Sequence, residues 1–162
     1  GYGVFAYGLR NPFDFDFDGD GRIFAIDNGP QACDEINLVV EGEDYGWPSP
    51  RLSQDTCERR DGEAAIGYVA REGHEPAQNG STVGPSSILY LTDGLGRLEG
   101  PGAVVCEVNT GRLRYHQLVE EPLSVEASYT LAEDCFTDVI QLADGSLLYT
   151  TQSSIERLTA ND

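Results

Sequence analysis

Two stretches of this chain repeat one pattern, and that pattern restricts the fold more than any other feature. The first is Phe13-Asp-Phe-Asp-Phe-Asp-Gly-Asp-Gly-Arg-Ile-Phe-Ala-Ile-Asp27, followed by Glu35-Ile-Asn-Leu-Val39. The second is Thr137-Asp-Val-Ile-Gln-Leu-Ala-Asp-Gly-Ser-Leu-Leu-Tyr-Thr-Thr151, followed by Ile155-Glu-Arg-Leu158. Each reads as a strand, a tight Asp-Gly turn, a second strand, a short loop and a third strand. Glycine suits the turn because it takes positive φ without a Cβ clash. A recurring unit of this kind in a glycine-rich chain is how a β-propeller blade reads. At roughly 40–50 residues per blade, about three blades are expected. Three blades do not close a ring, and open terminal sheets lack neighbours. The chain is therefore expected to be part of a longer propeller.

The rest of the sequence agrees with an all-β class. Helix signals are nearly absent, and 19 glycines and eight prolines separate short apolar runs. Strands are expected at 21–27, 35–40, 87–91, 103–107, 113–118, 138–142, 146–151 and 154–158, where β-branched, aromatic and leucine residues end at turn formers. The stretch 49–84 is polar and poor in strand pattern, and is expected to be a long connection between blades. Ten basic against 28 acidic residues give a net charge of -18. Such a surface repels nucleic acid and anionic membranes. No apolar run approaches the ~18 residues of a membrane-spanning helix.

Four cysteines, Cys33, Cys57, Cys106 and Cys135, form no CxxC pair and have no nearby histidine, which argues against zinc. Two disulfides in an oxidising compartment are expected, so the protein is read as secreted or periplasmic. Cys33–Cys57 and Cys106–Cys135 are preferred because each ties neighbouring segments, although four cysteines allow three connectivities and four buried thiols are the alternative. The run Asp16–Asp27 places acids like an EF-hand loop, yet both flanks alternate like strands and position twelve lacks the usual glutamate. It is read as a hairpin with exposed acids. Trp47 is read as a packed aromatic, and His74 and His116 as surface or structural residues.

The densest signal runs from Gly8-Leu-Arg-Asn-Pro12, through Asn28-Gly-Pro-Gln-Ala-Cys-Asp-Glu-Ile-Asn-Leu38, to Asp44-Tyr-Gly-Trp-Pro48. In order and spacing these motifs resemble the glucose/sorbosone dehydrogenase family of soluble aldose sugar dehydrogenases, which use pyrroloquinoline quinone (PQQ). The resemblance is strong over about the first fifty residues and weak over Cys135–Leu158. It implies a six-bladed propeller and a PQQ- and calcium-dependent oxidation of an aldose, with hydride passing from a sugar hydroxyl to the quinone and on to an electron acceptor. By the same resemblance Arg10 and Asn11 contact the quinone. The carbonyls of Gly29 and Pro30 hold its calcium, and Glu35 with the carbonyl of Tyr45 makes a second, structural calcium site. An arginine fork suits a quinone or carboxylate oxygen, and calcium accepts carbonyl oxygens readily.

The pattern is incomplete. The family's histidine base lies N-terminal to the Arg-Asn-Pro motif and would precede Gly1, so no catalytic residue is assigned here. The family's Arg-x-Arg-Asp corresponds to Cys135-Phe-Thr-Asp138, and a cofactor-binding lysine corresponds to Asn109. Three cations are missing from a site for a tricarboxylate. These absences favour an alternative: a non-catalytic, calcium-stabilised extracellular binding module like the propeller of Hedgehog-interacting proteins. A calcium-stabilised structural domain of a multidomain secreted protein is a third reading.

Overall fold

The computed structural model describes residues 1–48, 57 and 62–159, and among these there is no α-helix. Thirteen strands follow in order: β1 (Pro12–Phe17), β2 (Ile23–Asp27), β3 (Asp34–Val39), β4 (Gly67–Val69), β5 (Pro85–Leu91), β6 (Gly94–Leu95), β7 (Leu98–Glu99), β8 (Gly102–Glu107), β9 (Arg112–Glu120), β10 (Leu123–Ala132), β11 (Val139–Gln141), β12 (Leu147–Thr150) and β13 (Ile155–Leu158). They form antiparallel sheets ordered β1-β2-β3-β4, β5-β8-β9-β10 and β11-β12-β13, with β6 and β7 as a separate short ribbon. These three larger sheets are the three expected blades.

The blades pack face to face with the second in the middle. Phe24, Ile26 and Ile36 of the first sheet meet Ile88, Ala103, Val105 and Leu118 of the second. On the opposite face, Val104, Cys106, Leu113 and Tyr115 meet Val139 and Leu147 of the third. Covered on both faces, every residue of β8 is buried, and for that reason it reads as a continuous apolar run. Each large aliphatic side chain so buried contributes roughly 1.5–3 kcal/mol.

The Phe-Asp alternation of β1 is sorted by the period of the strand. Asp14 accepts the Ile88 N–H at 2.9 Å and Asp16 accepts the Tyr90 N–H at 2.8 Å. These carboxylates satisfy donors on the edge of β5 that no strand pairs. Phe13, Phe15 and Phe17 take the other face and are 60%, 59% and 52% exposed. The Asp18–Arg22 turn is a hairpin, as expected, with Asp20 exposed but Asp18 engaged. Asp18 accepts the N–H groups of Asp20 and Arg22 and pairs with the Arg22 guanidinium.

Two differences from the sequence expectation have physical causes. The stretch 49–84 contributes β4 as the fourth strand of the first blade; residues 49–56 and 58–61 of it lie outside the described residues. The ten-residue β10 was not expected. Its pairing with β9 shifts register between Val125 and Ala127 and again between Thr130 and Ala132, so bulges break the period-two signal.

Candidate functional site on the loop rim

The inner strands β1, β5 and β11 begin at one common rim. Asn28, at the end of β2 beside the start of β1, donates its Nδ2 to the Pro85 carbonyl at the start of β5, at 3.0 Å. Ser87 of β5 in turn donates its Oγ to Asp138, just before β11, at 3.2 Å. The rim gathers the loops that precede each inner strand and the β2–β3, β8–β9 and β12–β13 turns.

On the first blade the rim is shaped by two buried aspartates. Asp27 is 1% exposed and accepts the backbone N–H of Arg10 at 2.9 Å and of Asn11 at 2.6 Å. The Arg10 side chain then folds over the rim. Its Nη1 donates to the Asn28 carbonyl at 2.7 Å, and its guanidinium lies 5.6 Å from the Trp47 ring centroid, a cation–π distance. Trp47 is thus a half-buried platform for Arg10.

Asp34 is fully buried and holds the next loop. Its Oδ1 accepts the Gly29 N–H at 2.9 Å. Its Oδ2 accepts Thr82 Oγ1 and the N–H groups of Val83 and Gly84 at 2.7, 2.7 and 3.0 Å. A Cβ at Gly29 would stand 1.7 Å from the Ala32 carbonyl oxygen, so only glycine permits this turn. Pro30 follows, exposed at the rim. Cys33 closes the loop through its disulfide to Cys57, the first of the two preferred pairings.

The structure therefore brings Arg10, Asn11, Gly29 and Pro30 to one corner. Glu35 lies one residue inside it, opposite Asp27 in the β2–β3 register. It is 3% exposed, which sets it apart from an ordinary surface acid. Tyr45 is also buried, and its ring anchors the following loop to the far end of β3. The hydroxyl donates to the Leu38 carbonyl at 2.5 Å and accepts the Val40 N–H at 3.0 Å. Burial pushes its phenol pKa up.

The second and third blades present neutral groups to the same rim. Asn109 sits in the β8–β9 turn, with its N–H on the Val83 carbonyl at 2.9 Å and its carboxamide against Gly84. Thr137 Oγ1 lies 2.9 Å from Thr150 Oγ1. Cys135 is bonded to Cys106, the second preferred pairing, with Cα atoms 5.6 Å apart. Between these blades a cleft of about 570 Å³ is lined by Val108, Phe136, Tyr149, Gln152 and the acids Asp134 and Glu156.

Both histidines are accounted for structurally. His74 Nδ1 lies 3.3 Å from the Glu72 carbonyl. His116 is buried in the second blade with Nδ1 2.8 Å from Ser128 Oγ. Sequence reasoning weighed Asp27 only as the twelfth position of an EF-hand-like run and did not single out Asp34, yet their carboxylates place Arg10 and Gly29. Asp34 stands inside the quoted Asp-Glu-Ile-Asn-Leu motif, and Asp27 ends a strand directly before Asn-Gly-Pro; both positions invite a carboxylate that caps loop N–H groups.

Comparison with known proteins matches this architecture. The quinoprotein glucose dehydrogenase B of Acinetobacter calcoaceticus is 41% identical over 46 residues, which is 28% of this chain and 10% of that protein. The apo form of the soluble aldose sugar dehydrogenase of Escherichia coli superposes with a TM-score of 0.69 at 18% identity, covering 96% of this chain and 45% of that one. The PQQ-bound aldose sugar dehydrogenase of Streptomyces coelicolor gives 0.59 at 21% identity, covering 96% and 44%. The chain thus spans a little under half of these solved relatives, and at such identities the likeness establishes the propeller fold. A family model described as glucose / sorbosone dehydrogenase matches residues 2–159, nearly the whole chain, and the chain belongs to that family.

Proposed function

We propose that the full-length protein is a PQQ- and calcium-dependent dehydrogenase of aldose sugars, and that this chain supplies one side of its cofactor site. The observation that carries the reading is the corner where Arg10, fixed through Asp27, stands beside the Gly29–Pro30 turn fixed through Asp34. The donor set fits the group. Carbonyl oxygens on a turn that only glycine permits suit a hard cation, and a guanidinium with carboxamide neighbours suits quinone and carboxylate oxygens. Arg10 and Asn11 would bind the quinone, and the carbonyls of Gly29 and Pro30 would hold its calcium. Glu35 and the carbonyl of Tyr45 would hold the second, structural calcium. The bound quinone supplies a two-electron acceptor for the hydride of a sugar hydroxyl. Asp27 holds the Arg10 backbone, and Trp47 gives the cation an apolar floor that keeps water off one face. Two disulfides accord with a secreted or periplasmic protein. The partners are a small sugar and an electron acceptor.

Reconstitution of the full-length protein with calcium and PQQ, followed by dye reduction on a panel of aldoses, tests this. Sugar-dependent reduction is expected, lost with chelator and lowered at least tenfold in Arg10→Ala. A folded protein that binds no PQQ and reduces no dye would overturn it. One observation favours a second reading, the non-catalytic extracellular binding module. Asn109, Thr137 and the disulfide-bonded Cys135 bring no positive charge to the rim. Retained folding and calcium binding without PQQ binding would establish that module.

A further inference from the structure

The Arg112-Leu-Arg114 start of β9 puts two arginines on one side of the strand, because Leu113 between them enters the apolar layer against the third blade. Both reach the segment that follows β4. Arg114 Nη1 donates to the Ala70 carbonyl at 3.2 Å, and Arg112 Nη1 donates to Glu72 Oε2 at 2.8 Å. That segment adds Arg71, whose N–H meets the Ser81 carbonyl and whose carbonyl accepts the His74 N–H, both at 2.9 Å. Three of the ten basic residues thus collect at one place in a chain of net charge -18. A pocket of about 380 Å³ opens there, lined by Arg71, Glu72, Asn109, Thr110 and Arg112. Asn109 belongs to this pocket as well as to the rim, so the two adjoin at the position where the resemblance places a missing lysine.

The three cations are not equally committed. Arg114 is held by Glu107, a fully buried acid, with Nη1 3.2 Å from Oε1, and Thr110 Oγ1 donates to Glu107 Oε2 at 2.6 Å. Arg112 is half-buried, but the acids around it are exposed: Glu72 at 2.8 Å and Glu133 at 3.8 Å. Arg71 is exposed, and among the described residues its guanidinium has no carboxylate partner. An exposed ion pair is weak and yields to a competing anion, whereas two guanidinium forks on one carboxylate hold it firmly. We propose that Arg71 and Arg112 form a carboxylate-binding pocket, in which the carboxylate of a ligand on the rim replaces that of Glu72. Asn109 supplies a neutral donor on the rim side. Two ligands of the dehydrogenase reading carry the group: the tricarboxylate quinone, and a sugar that bears an acid. The choice of ligands rests on that reading, but the pocket itself does not.

PQQ-free full-length protein is titrated with PQQ by fluorescence quenching, and with glucuronate and its neutral twin glucose by calorimetry. Arg71→Gln and Arg112→Gln are each expected to weaken binding of the carboxylate ligand about fivefold or more. Glu72→Gln removes the internal competitor and is expected to strengthen it about threefold. Glucose is expected to bind all three variants as it binds the wild type. These changes seen with PQQ assign the pocket to the cofactor; seen with glucuronate alone, they assign it to the sugar. Arg71 and Glu72 are exposed, so their variants carry the test if Arg112→Gln folds poorly. Affinities for PQQ and glucuronate that ignore both arginines, or weaker binding in Glu72→Gln, would overturn the pocket and leave the arginines as ties between the first two blades. A wild type that binds no PQQ, yet binds glucuronate through Arg71 and Arg112, would sink the dehydrogenase reading and leave the pocket standing.

Discussion

The two halves of the rim reach order by different means. On the first blade, Asp27 and Asp34 gather loop N–H groups in addition to the Cys33–Cys57 disulfide, and the ordered loops present an arginine and a Gly-Pro turn. On the second and third blades, a disulfide and a pair of threonine hydroxyls hold the loops, and the groups presented are neutral. A buried carboxylate satisfied by backbone donors fixes a loop while leaving the loop's own side chains available for a ligand. A disulfide fixes its loop by consuming the side chain. Cys135 is therefore committed and the Thr137 hydroxyl is engaged with Thr150, whereas Asn109 remains an open position on the same rim.

The largest expected effect breaks the first half of this comparison. Asp34 accepts four hydrogen bonds and joins the Gly29 turn to the segment leading into β5. Asp34→Ala leaves buried donors unpaired, and bonds to a charged group are each worth about 1.5–3 kcal/mol without adding fully. A loss of about 4 kcal/mol in urea unfolding is expected. Asp138, its counterpart before β11, is exposed, and among the described residues its carboxylate accepts only the Ser87 hydroxyl and the Val139 N–H. Asp138→Ala should cost about 1 kcal/mol. Equal losses for the two variants would show that the halves of the rim are not built differently.

A smaller effect comes from charging the neutral half. Asn109→Lys adds a cation at an exposed turn whose backbone is already fixed by Val83 and Gly84. At a solvent-facing position the gain in PQQ affinity is expected at the low end of charge-assisted bonds, about 1.4 kcal/mol or tenfold. Equilibrium titration of PQQ by fluorescence quenching reads it directly. No gain, with the fold intact, would place the cofactor out of reach of the second blade and strengthen the binding-module reading.

Much of the fold was legible because its signals are local. The Asp-Gly turns and the apolar runs of β2, β8 and β12 mark strands wherever they are read, and pairing the nearest cysteines identified both disulfides. The candidate site was legible only as motif residues. Nothing local says that Asp27 reaches back to Arg10, or that Asp34 reaches forward to Gly84, since those bonds span 17 and 50 residues. One acid of β1 was misread for the same reason. Asp16 stood in the run read as a hairpin with exposed acids, but its partner is the Tyr90 N–H on β5, 74 residues away. β10 escaped because its bulges disturb the alternation that defines a strand.

The smallest effect concerns the middle blade, whose interior holds a histidine satisfied at one nitrogen only. His116 Nδ1 meets Ser128, while Nε2 is buried without a partner. Burial first, and then the nearby Arg114 charge, push its pKa down to about 3. A folded pKa below the free value of about 6.5 means that the unfolded chain takes up the proton first. The stability from a neutral His116 is thus complete above about pH 6.5 and is lost as pH falls from there toward 3, by up to about 1.4 kcal/mol per pH unit. Glu107 in the same sheet works the other way: burial raises its pKa, so its contribution is present at low pH and is lost as pH rises through the folded value. Only the difference between wild type and a non-titrating variant isolates the histidine. Between pH 6 and 5 the wild type is expected to lose about 1 kcal/mol more than His116→Gln in urea unfolding. Parallel slopes for the two proteins would mean that the imidazole finds a partner for its proton inside the fold, and that the middle blade is more hydrated than its packing indicates.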